Sequence, residues 1–126
     1  MTTYYDPNVP QNHDDWLKIS PSDRLRVAKN YHDSARIKAS KGHAYLHVLV
    51  ENQIACGSRS VIRALDSLQK DGMGRHDAIH AVAAVFAAYY RALPLTPTRD
   101  EQSNAQLRLN AELDVLTEKG SVKAVQ

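Results

Sequence analysis

Hydrophobic and polar positions recur at helical spacing along most of the chain, and no segment alternates with the two-residue period of a strand. Residues 1–13, with Pro7, Pro10 and two Asn, read as an extended arm, and a short turn at Asp14–Ile19 presents Trp16 and Leu17. SPSD then starts a helix: Ser20 is its N-cap, Pro21 takes the first helical position, and Asp23 favours the helix dipole. That helix is predicted to run to about Arg36 as a surface helix, with Leu25, Ala28, Tyr31 and Ala35 inward and Arg24, Arg26 and Lys29 outward. The segment Lys41–Cys56 differs, because Ala44, Tyr45, Leu46, Val48, Leu49, Val50 and Ile54 surround it almost completely; such a helix belongs inside. Gly57 ends it, and Ser58 caps a one-sided helix bearing Val61, Ile62, Leu65 and Leu68, which Gly72 stops. Residues Arg75–Leu93 are again apolar around most of their circumference, through Ile79, Val82, Val85, Phe86 and Tyr89. Thr98 and Glu101 have capping-box spacing and open a last helix with Leu107, Leu109, Leu113 and Leu116. The pattern predicts an all-α protein, a compact bundle of about five helices in one domain over 14–118, followed by a frayed tail over 119–126. The two apolar helices form its central pair.

Composition agrees and removes several function classes. A chain of 126 residues, 43% apolar and 24% charged, suffices for one domain with its own core. The net charge of +2 is no nucleic-acid footprint, although residues 35–95 carry eight basic and four acidic side chains and Arg36, Lys38 and Lys41 cluster. A solvated loop explains that cluster, and nucleic acid is set aside. The longest apolar run, Ala81–Tyr90, falls short of the roughly 20 residues a membrane span needs. Cys56 stands alone, so no internal disulfide forms, and its place beside Gly57 suggests a small, buried or half-buried residue. With no basic region followed by an apolar stretch at the N-terminus, a cytoplasmic location is expected.

The feature these averages hide is a repeated histidine spacing. His43 and His47 are four apart near the start of one apolar helix, and His76 and His80 repeat this near the start of the other. Residues four apart share a helix face, so each pair forms a two-pronged ligand. Short connections predict that the helices over 41–56 and 75–93 run parallel, which sets both pairs at one height. Helix starts and apolar surroundings disfavour the imidazolium and keep the rings neutral, the form a metal requires. Glu51 and Asp77 are candidates to ligate, to orient an imidazole or to act as a base; Gln53 and Arg75 are candidate supporting groups. His13 and His32 are placed outside the site.

Four imidazoles close a tetrahedral zinc site, whereas three with a carboxylate leave a position on zinc or iron for activated water and hydrolysis. A ferritin-like two-metal site is disfavoured, because it needs several Glu and E-x-x-H spacing. The alternative is a non-enzymatic helical interaction module in which a buried, metal-free histidine network fixes the packing. Its partner surface would be the arm with exposed Tyr4 and Tyr5, the last helix, or a face that pairs with a second copy.

HAYLHVLVENQIA and GMGRHDAIHAVAAVFA, with NHDDWLKISPSDRLRVAKNYHDSARI upstream, resemble the pattern of the small bacterial domain of unknown function 1841 family and its relatives. The resemblance covers roughly residues 12–93. It implies no reaction, cofactor or partner, and it marks His43, His47, Glu51, Gln53, His76, Asp77 and His80 by matching position. It departs at GSRS, where relatives carry a more acidic, Pro-containing link.

Overall fold

The computed structural model describes residues 4–34 and 41–125; Ala35, Arg36 and Lys38 of the predicted surface helix and basic cluster lie outside them. Six helices follow one another: α1 His13–Lys18, α2 Pro21–Ser34, α3 Lys41–Ala55, α4 Arg59–Lys70, α5 Arg75–Arg91 and α6 Arg99–Val125. Among the described residues there is no strand, so the all-α bundle read from the sequence is the fold.

Local chemistry explains the boundaries. Asn12 caps α1 by accepting from the Asp15 amide at 3.0 Å, and Ser20 accepts from the Asp23 amide at 3.3 Å. Gly57 and Gly72 take φ of 83° and 98°, the left-handed conformation that favours glycine. There the amides of Gly57 and Ser58 turn back to the carbonyls of Ile54 and Gln53, and those of Gly72 and Met73 to Gln69 and Leu68, closing two Schellman motifs. Thr98 and Glu101 bond reciprocally at 3.0 and 3.1 Å as the capping box predicts. At the other end α6 spans Arg99–Val125 and so includes Gly120, a glycine that disfavours a helix by about 1 kcal/mol.

Two buried clusters form the interior, and α3 belongs to both. The larger joins Val50 and Ile54 to Val61, Leu65, Ile79, Val82, Phe86, Leu109 and Leu113 from α4, α5 and α6. The smaller joins Ala44 and Val48 to Tyr5, Trp16, Val27 and Ala28. Several inward assignments are corrected. Tyr45 and Leu107 are exposed, because the central helix has one wet edge and Leu107 lies two residues from buried Leu109, on another face. Cys56 is exposed at the helix end. Arg24 turns inward, its guanidinium holding the carbonyls of Leu17 and Ile19 and the Asn52 side chain. Trp16 Nε1 donates to the same Asn52 oxygen at 2.9 Å, so one polar residue of α3 fastens both α1 and α2.

The direction of the central pair is also corrected. Glu51 meets Arg75, His47 meets His76, and His43 meets His80, so contacts advance along α3 as they retreat along α5. The two helices therefore pass in an antiparallel sense. The parallel expectation treated α4 as a simple return, yet α4 packs chiefly on α6 and only lightly on α3. The histidine pairs still meet, because the antiparallel overlap is between the two N-terminal halves.

Candidate metal centre

Five histidines converge where α2, α3 and α5 meet: His32, His43, His47, His76 and His80, each offering a nitrogen within 4.8 Å of all the others. His32 and His47 are buried, and the other three are partly so. His43 Nε2 is 3.1 Å from His80 Nε2, which is 3.0 Å from His47 Nε2. One ring nitrogen carries either a proton or a lone pair, so His80 Nε2 cannot make a full hydrogen bond to both. Two further buried nitrogens, His32 Nε2 and His76 Nε2, have no hydrogen-bond partner among the described residues. Buried polar atoms are rarely left so, and each orphan ordinarily disfavours the fold.

Tautomers follow from the partners. His32 Nδ1 lies 2.8 Å from the Ala28 carbonyl, which can only accept, so Nδ1 holds the proton and Nε2 a lone pair. The Tyr5 hydroxyl donates its proton to Glu51 Oε2 at 2.7 Å. Across the 3.2 Å contact with Tyr5, His47 Nδ1 must therefore donate, and its Nε2 is the lone pair turned to the cluster. Behind Glu51 stands Arg75, bonded to both carboxylate oxygens at 2.9 Å and to the Pro7 carbonyl at 2.9 Å. The line Arg75, Glu51, Tyr5, His47 orients the central imidazole as supporting groups do around metal ligands.

Electrostatics favour neutral rings. Burial first, and then the neighbouring His32, His76, His80 and His43, lower His47 to about 2. Burial, with His80 and His32, lowers His76 to about 4 against the opposing charge of Asp77. His43 and His80 are lowered chiefly by burial. Burial and then the Glu51 charge hold the Tyr5 hydroxyl well above its usual value. Burial works against the Arg75 charge, but its bonds to Glu51 outweigh it.

The structure brings together all four histidines named from the sequence and adds His32, which the sequence pattern places outside. The other candidates lie elsewhere. Glu51 stands behind the cluster, its oxygens held by Arg75 and Tyr5. Asp77 is exposed, and Gln53 reaches Gln106 on α6 at 3.4 Å. His13 is exposed, away from the cluster. Tyr5, expected on an exposed arm, is buried against Trp16, while Tyr4 is exposed.

The chain matches no family model, no curated protein and no solved structure. The functional reading therefore rests on the residues alone. Two signals were present or absent in the sequence in instructive ways. His32 closes the helix before the first pair and falls at the same end of the bundle, a topological signal. Tyr5 has no periodic context and carried none.

Replacing Tyr5 with Phe tests the line to His47. Loss of the hydroxyl leaves a buried donor at His47 and an acceptor at Glu51 short of a partner, with an expected cost of about 1–3 kcal/mol in urea unfolding. A change under about 0.5 kcal/mol, the range of an ordinary surface substitution, would show that water replaces the hydroxyl.

Proposed function

We propose that this protein binds one divalent transition-metal ion through its histidine cluster. The observation that carries the reading is that five histidines each offer a ring nitrogen within 4.8 Å of the others, while two buried ring nitrogens, His32 Nε2 and His76 Nε2, have no hydrogen-bond partner among the described residues. An ion at the centre accepts every converging lone pair at once, which proton sharing among the rings cannot do. The donor set is all nitrogen and uncharged, which suits zinc, iron and their neighbours and disfavours magnesium or calcium. Hydrolysis by a metal-activated water is the less supported part. Glu51 has both oxygens engaged and Asp77 faces solvent, so neither is a base poised beside the ion.

Elemental analysis of protein purified without an affinity tag tests the reading. About one equivalent of zinc, iron or a neighbouring metal per chain is expected, and a His47→Ala, His80→Ala double variant should retain under about a tenth of it. Equal metal content in the two proteins would refute the assignment. An unloaded wild-type protein that also fails to take up added metal would favour a metal-free network, the alternative drawn from the sequence.

A further inference from the structure

Resting on that reading, we infer that the five imidazoles hold a six-coordinate ion and leave one position for a small exogenous ligand, rather than closing a four-coordinate structural zinc site. The number of donors carries the inference, and their spacing is compatible with it. A tetrahedral site uses four donors and would leave one of the five imidazoles over within the cluster, where His32 Nε2 is already buried with no partner among the described residues. The His32 ring is also held in place as a donor. The Ala28 carbonyl fixes its tautomer, and it sits edge-on to the rings of His43 and His47, centroids at 4.7 and 4.8 Å. Tetrahedral donors around a metal at about 2.0–2.1 Å lie about 3.3–3.4 Å apart. Neighbouring donors of an octahedron with bonds of about 2.1–2.2 Å lie about 3.0–3.1 Å apart, and opposite ones about 4.2–4.4 Å. The two close separations here, 3.0 and 3.1 Å, are hydrogen-bond distances between rings and are also compatible with the octahedral edge. The 4.8 Å limit on every pair admits the octahedral diagonal.

Five imidazoles leave a sixth position. The buried side of the cluster is occupied by Tyr5, whose ring stands edge-on to His47, and by His32 and His47 themselves, while half-buried Tyr31 stands edge-on to His76. His43, His76 and His80 are half-buried, with His76 Nε2 itself enclosed, so we place the exogenous ligand on the side of His43 and His80. The ligand class is a small σ-donor: water at rest, and a compact anion or diatomic molecule in exchange. The all-neutral donor set leaves the ion's full positive charge to attract an anion.

Cobalt(II) reports coordination number directly, because four-coordinate cobalt absorbs visible light strongly and six-coordinate cobalt weakly. Metal-stripped wild-type protein loaded with one equivalent of cobalt(II) is expected to show the weak spectrum, and azide should change it saturably. A His32→Ala variant, with His32→Gln as a second form should the first not fold, is expected to weaken cobalt binding about 10–100-fold or to convert the spectrum to another coordination number. A strong four-coordinate spectrum of the wild type would overturn the inference while leaving metal binding standing. So would a weak spectrum indifferent to azide, or unchanged binding and spectrum without His32. Failure to bind cobalt, zinc or nickel at all would instead remove the metal-binding reading beneath it.

Discussion

Glu51→Ala is expected to destabilise the protein by about 3–5 kcal/mol, the cost of breaking a buried ion pair from one side. Arg75 is 6% exposed and Glu51 2%, and the carboxylate accepts two bonds from the guanidinium. A guanidinium cannot shed its proton, so without Glu51 it stays charged inside, with the Pro7 carbonyl as its remaining described partner. The damage spreads because the Tyr5 hydroxyl loses its acceptor, and with it the fixed direction of its contact to His47. A double replacement by apolar residues, Glu51→Leu with Arg75→Met, should cost less than Glu51→Ala alone, since no unpaired charge remains. Urea unfolding of the single and double variants measures both. A loss under about 1 kcal/mol for Glu51→Ala would place Arg75 in water, as an exposed pair behaves.

The second large effect is the joint dependence on metal and acid. An ion at about 100 times its Kd adds about 2.7 kcal/mol to the folded state. For a chain of this length that is a melting shift of about 10 °C, expected to vanish on chelation at neutral pH. The stripped protein should then be sensitive to acid in one direction. His47 and His76 are lowered to about 2 and about 4 when folded, against about 6.5 unfolded. The unfolded chain therefore takes up protons first as pH falls. Stability is complete above about pH 6.5, declines from there through the His76 value, and continues to fall towards the His47 value. Melting curves from pH 8 to 4, with and without chelator, check both statements. A midpoint indifferent to acid would mean that the rings reach solvent; one indifferent to chelator would remove the ion.

What the sequence made legible was whatever local chemistry determines. Capping residues and the two left-handed glycines placed most helix ends, and the i, i+4 spacing of His43 with His47 and of His76 with His80 identified four ligand candidates. What stayed hidden depends on how helices lie together. Short connections predict parallel helices, whereas α3 and α5 run antiparallel and meet through their N-terminal halves. His32 has only its place near the end of α2 to announce it, and no partner at helical spacing. The sequence makes Glu51 a candidate ligand and Arg75 a candidate supporting group, and packing pairs the two. Tyr5 sits in an arm whose Pro and Asn content reads as solvent-exposed, yet its ring fills the gap between Trp16 and His47.

The most direct measurement of the central claim follows the histidine rings themselves. The chain has six histidines, five in the cluster and His13 exposed on α1. Nitrogen resonances of the six rings, recorded by NMR while zinc is added to stripped protein, should shift together for His32, His43, His47, His76 and His80. The changes should be complete at one equivalent, with His13 unmoved as an internal control. Cluster rings that ignore zinc, or that respond no more than His13 does, would contradict the account.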